Sequence, residues 1–121
     1  MNLKYYPFLF RPNLKPLVWG TEDWTVSAVP NSESIVDNGE YAGQTLNAVI
    51  AMDPVAVLGK EVAQRYNNEM PILSKIIDAH QDLSIQVHPN DEMARRIHGK
   101  NGKSEMWYIL DAQPGAYLYA G

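Results

Sequence analysis

Leu83-Ser84-Ile85-Gln86-Val87-His88 is the clearest alternation in the sequence. Leu83, Ile85 and Val87 fall on one side of an extended backbone, and Ser84, Gln86 and His88 on the other. That period of two predicts a β-strand with one apolar and one polar face. Glu105-Met-Trp-Tyr-Ile-Leu110 reads as another strand, and Tyr117-Leu-Tyr119 starts one more. Upstream, Trp24–Val29 is rich in β-branched and aromatic residues and ends at Pro30, so it reads as a strand. Ser34–Val36 is a short strand candidate. The isoleucines and the length of Ile72–Asp78 favour strand over helix. Pro7, Pro12 and Pro16 hold residues 1–20 to an extended path with at most an edge strand.

Helix signals are fewer. Gly43–Leu46 leads into a short helix. Asp53-Pro54 combines a capping carboxylate with a proline suited to the first helical position. Leu58, Val62 and Tyr66 then give one apolar face ending near Asn67-Asn68. Asn90 caps a short helix with Asp91 and Glu92 in its first turn, Arg95, Arg96 and His98 in its last, and Gly99 after it. The sum is mainly β: a small β-barrel or sandwich over residues 1–121, one domain with one or two short helices.

Length and composition bound the function. The 121 residues suffice for a single core, and 45% of them are apolar, which argues against disorder. The net charge of −4 disfavours nucleic acid as a bulk partner. With no cysteine there is no disulfide scaffold, no thiolate zinc site and no cysteine nucleophile. No apolar run approaches the roughly 20 residues of a membrane helix, and no signal peptide opens the chain. A cytoplasmic protein with no membrane partner is expected.

Gln86 and His88, two residues apart on one strand face, lie roughly 7 Å apart along the backbone and can converge on one ion. Pairing of the two strands would put Glu105 beside His88. Imidazole, amide oxygen and carboxylate form a donor set for zinc or another divalent ion. The plainer alternatives are a solvent-facing polar strand for Gln86 and His88, and a surface ion pair with Lys103 or Arg96 for Glu105. Arg95, Arg96, His98, Lys100 and Lys103 form a basic stretch without an acid. It could border the metal pocket and hold a phosphate, or simply complement the helix dipole. His80 is expected in an exposed turn, and Trp19, Trp24 and Trp107 in the core. Ser84 has no histidine–acid partner that would make it a nucleophile, and no glycine-rich phosphate loop is present.

Leu83-Ser-Ile-Gln-Val-His-Pro-Asn-Asp91 followed by Gly102-Lys-Ser-Glu-Met-Trp-Tyr-Ile109 resembles type I mannose-6-phosphate isomerase, a cupin-fold metalloenzyme. Pro71–Ala79 and Trp24–Pro30 match neighbouring segments of that family. The resemblance implies that Gln86, His88 and Glu105 bind Zn²⁺, that Lys103 lies at the substrate as a catalytic residue, and that Ser84 lines the substrate pocket. It implies interconversion of mannose 6-phosphate and fructose 6-phosphate. In the family a further histidine ligand and a catalytic arginine come from later sequence. The chain therefore resembles an N-terminal part of such an enzyme, completed by a C-terminal segment or by a second copy in a homodimer. The alternative is a catalytically incomplete metal- or sugar-binding cupin fragment or regulatory module.

Overall fold

The structure, a computed structural model, describes residues 3–120. These fall into two compact units, one running up to Leu83 and the other starting at Ser84.

The first unit is built on a three-stranded antiparallel sheet in the order β1-β2-β3, from Leu14–Leu17, Gly20–Val26 and Ser74–Ala79. Pro16 lies in β1, an edge strand, where its missing N–H costs no ladder bond on the open side. The sequence places β2 later, at Trp24–Val29. The strand in fact begins at Gly20, pairs in register as far as Asp23, and is irregular from there to Val26. It stops because the backbone turns to Ser34: the Ser27 N–H donates to Ser34 Oγ at 2.8 Å, and the Ser34 N–H to the Ser27 carbonyl at 2.8 Å. β3 forms where the isoleucine-rich stretch predicts it.

One sheet position holds a buried charge. Glu22 is buried, and its Oε2 lies 3.1 Å from Lys75 Nζ and accepts from Trp24 Nε1 at 3.2 Å. Lys75 and Lys15 both approach the Trp24 ring, at 4.8 and 5.2 Å from its centroid. A buried carboxylate survives only when paired in this way.

The apolar core of this unit is Leu3, Val36, Tyr41 and Val49, with Tyr6, Phe8 and Phe10 packed against it. Tyr6 meets Phe8 edge-on at 4.9 Å. Ser34–Val36 contributes isolated bridges (Phe10 with Val36, Ile35 with Thr45) rather than a strand. Three helices follow: α1 Leu46–Met52, α2 Pro54–Leu58 and α3 Lys60–Arg65. Thr45 Oγ1 caps α1 through the Ala48 N–H, and Asp53 Oδ1 caps α2 through the Ala56 N–H. The single helix expected from Asp53 to Asn67 is split at Gly59, whose φ of 82° lies outside helical space.

The second unit holds α4, Asp91–His98, and no strand among the described residues. The four helices among the described residues exceed the one or two expected. The strands expected at 83–88, 105–110 and 117–119 do not form. A strand needs a neighbour for its N–H and C=O groups. Among the described residues no backbone ladder joins these segments. Their apolar side chains are correspondingly open: Ile85 is 83% exposed and Val87 92%. Trp107, expected in the core, is 52% exposed for the same reason. Among the described residues no helix is long and apolar enough to cross a membrane.

Gly20 tests the sheet. Its φ is +153°, and a Cβ there would run into the Asp78 carbonyl of β3. Gly20→Ala should lower stability by roughly 1–3 kcal/mol, read as a lower urea midpoint. An unchanged midpoint would contradict the close β2–β3 approach.

Candidate metal and substrate site

Four residues of backbone, His88–Asp91, lead into α4 and set the site's first wall. Pro89 biases His88 to an extended backbone. Asn90 is the N-cap, its Oδ1 accepting from the Met93 N–H at 2.9 Å. Asp91 and Glu92 occupy the positive end of the helix dipole, and Arg95, Arg96 and His98 the negative end. Gly99 closes the helix in the left-handed conformation, φ 64°. All of this follows the sequence expectation.

The chain then returns through Lys100–Ser104. Gly102 passes so close to the helix start that a Cβ would lie 2.5 Å from the Pro89 carbonyl oxygen and 2.9 Å from the Asp91 nitrogen. The return brings Lys103 and Glu105 to His88. His88 Nε2 lies 3.2 Å from Glu105 Oε1, and Lys103 Nζ lies 3.2 Å from Glu105 Oε2. One carboxylate is thus shared between an imidazole and an ammonium. Burial pushes the Glu105 carboxyl up, but the hydrogen bonds and charges of Lys103 and His88 outweigh it and hold the group below its ordinary value. His88 is the most enclosed of the three, with 23% of its side chain exposed against 39% for Glu105.

Gln86 and Ser84 form a separate pair, the amide Nε2 donating to Ser84 Oγ at 3.1 Å. The two-residue offset puts them on one side of the extended chain, as the alternation predicts. That bond leaves the amide oxygen of Gln86 unused. Thus His88, Lys103 and Glu105 are brought together, while Ser84 and Gln86 are hydrogen-bonded to each other and, among the described residues, not to those three. Among the described residues no cluster of three or more His, Asp, Glu or Cys side chains could hold a metal. The expected donor set has only two such residues, with the Gln86 amide as its third.

A pocket of about 410 Å³ lies here, lined by His88, Pro89, Asn90, Asp91, Gly102, Lys103 and Ser104. Of the five basic residues between 95 and 103, Lys103 alone lines it. Arg95 is turned instead to Asp91 Oδ2 (3.7 Å) and Asn101 Oδ1 (3.2 Å). His80 is exposed, as expected, beside Asp78. Sequence reasoning missed the parts played by Asp91 and Gly102. The Gly102 N–H donates to Asp91 Oδ1 at 2.9 Å, and a helix-start aspartate signals only a dipole partner.

The described donors suit a divalent metal. Two atoms 3.2 Å apart, each at the 2.0–2.2 Å bonding distance of zinc, subtend an angle of about 100° at the ion, within tetrahedral reach. Imidazole, carboxylate and amide oxygen are also ordinary donors for such ions.

Comparison with known proteins identifies the family. The family profile described as "Phosphomannose isomerase type I, catalytic domain" matches residues 11–114. The chain is 38% identical to the mannose-6-phosphate isomerase ManA of Bacillus subtilis, over 95% of its own length and 40% of that protein's. It is 38% identical to the mannose-6-phosphate isomerase of Streptococcus mutans, over 83% of the chain and 30% of the relative. Against the mannose-6-phosphate isomerase of Escherichia coli the identity is 42%, over 65% of the chain and 19% of the relative. The chain therefore spans at most about two-fifths of the length of these relatives. No solved structure gives a significant match. Matched from residue 11 to residue 114, the chain belongs to the type I phosphomannose isomerase family.

Proposed function

We propose that the chain forms part of a metal-dependent aldose–ketose isomerase acting on mannose 6-phosphate and fructose 6-phosphate. The observation that carries this reading is the Glu105 carboxylate shared by His88 and Lys103. Gln86, His88 and Glu105 would hold the metal, zinc in the first instance. A bound divalent ion supplies Lewis acidity toward the carbonyl and hydroxyl oxygens of the open-chain sugar. Lys103 lines the pocket with its positive charge and stabilises the enediolate that forms as the proton moves between C1 and C2. Ser84 lines the substrate side. In this reading both units belong to one cupin-like domain of a cytoplasmic enzyme. A C-terminal segment or a second copy completes the site and pairs the open β-prone segments.

A second reading is a binding module without turnover. It is favoured by the Gln86 amide bonding to Ser84 rather than to His88, Lys103 or Glu105.

Zinc content with a His88→Ala control tests the metal. About one equivalent in the wild-type chain, lost in the variant, is the expected result. Conversion of mannose 6-phosphate by the zinc-loaded chain would then contradict the binding module. No zinc retained by the wild-type chain would contradict the zinc site proposed for it and favour a sugar-binding module.

Glu105 gives a pH prediction. Its folded pKa is depressed, so its contribution to stability is present above the unfolded pKa and is lost as pH falls through the folded one. In chelator-treated chain the Glu105 carboxyl ¹³C signal should titrate below the ordinary glutamate range. Lys103→Met should move that titration upward. A titration at or above the ordinary value in the wild-type chain would contradict the shared carboxylate.

A further inference from the structure

The contacts of the site close into a ring. Backbone runs from His88 to Asp91. The Gly102 N–H bonds to Asp91 Oδ1 at 2.9 Å, and backbone leads on to Lys103. Lys103 then meets Glu105, and Glu105 meets His88, each at 3.2 Å. Every link but one is either covalent or belongs to the charged triad itself. The remaining link is a single hydrogen bond from the return loop to the first residue of α4.

That bond is supported on both sides. Gly102 fits because it lacks a Cβ, which would otherwise meet the Pro89 carbonyl oxygen and the backbone of Asn90. Arg95, one turn along α4, holds Asn101 Oδ1 through its Nε at 3.2 Å and approaches Asp91 Oδ2 at 3.7 Å. The loop is thus fastened to the helix at two successive residues, Asn101 and Gly102. The next residue, Lys103, carries the ammonium into the pocket. Residues 88–91 and 102–104 are the two walls of that pocket, and Asp91 joins them.

We propose that Asp91 is a positioning residue: by accepting the Gly102 N–H it fixes the 99–104 loop so that Lys103 stays against Glu105. The catalytic consequence rests on the functional reading above; the latch itself does not. The acceptor oxygen matters more than the charge, because the bond to Gly102 is short and the Arg95 contact is long. The same bond also engages the backbone nitrogen that would attack the Asn101 side chain in deamidation.

Asp91→Ala and Asp91→Asn, made in the full chain, separate these roles, since asparagine keeps an acceptor oxygen. In the metal-free chain, Asp91→Ala should speed Gly102 amide exchange at least about tenfold and abolish the NOE between the Lys103 ε and Glu105 γ protons. Asp91→Asn should restore both. Zinc affinity should fall about 10- to 100-fold in Asp91→Ala and recover in Asp91→Asn, as for other residues that orient ligands. If Asp91→Ala does not fold, Gly102→Ala keeps the N–H but its Cβ would press on the Pro89 carbonyl oxygen and push the loop off Asp91, and should likewise abolish the Lys103–Glu105 NOE. Unchanged Gly102 exchange in Asp91→Ala would overturn the latch. Faster exchange with the Lys103–Glu105 NOE intact would overturn the positioning role. Wild-type chain that binds no zinc would count against the metal reading, while the exchange and NOE measurements would still decide the latch.

Discussion

The Glu105 carboxylate is the interaction on which the site depends. One oxygen faces an imidazole and the other an ammonium, each at 3.2 Å. Removing either partner would leave a half-enclosed negative charge with fewer compensating contacts. The same sharing makes Glu105 available to a cation. Its charge is held ionised, and one oxygen already lies close enough to His88 for both to reach a single ion.

How that carboxylate reaches His88 is a matter of local backbone chemistry. The cap at Asn90, the reversal at Gly99 and the close passage of Gly102 bring residues 17 apart in sequence into contact. None of these steps needs a β-ladder. The hairpin pictured from the sequence would have joined His88 and Glu105 by strand pairing. The structure joins them by a helix and a return loop. In the first unit the corresponding polar feature is Glu22, whose burial is compensated by Lys75 and Trp24. There Lys75 comes from the neighbouring strand β3 and Trp24 from the same strand as Glu22, so the sheet's register sets the ion pair.

The legible features were those whose physics is local. Asn90, Asp91-Glu92, Arg95-Arg96 and Gly99 mark α4 at both ends, and Asp53-Pro54 marks the start of α2, because capping acts within one turn. Gly59 was visible as a residue, but its break in the helix was obscured by the apolar spacing of Leu58, Val62 and Tyr66. The alternation at Leu83–His88 gave the side-chain directions correctly, as the Ser84–Gln86 bond illustrates. It did not give a strand, because pairing depends on a distant partner that alternation cannot name. The contact of His88 with Glu105 was expected from strand pairing, and it forms without that pairing. The bond between Asp91 and Gly102 was not, since it joins a helix start to a loop eleven residues later.

The most direct test of the metal site is anomalous diffraction at the zinc edge from crystals of the zinc-loaded chain. A single peak about 2.0–2.2 Å from both His88 Nε2 and Glu105 Oε1, with the Gln86 amide oxygen turned toward it, is the predicted result. A peak elsewhere on the chain, or none at full zinc occupancy in solution, would contradict the assignment of Gln86, His88 and Glu105 as ligands.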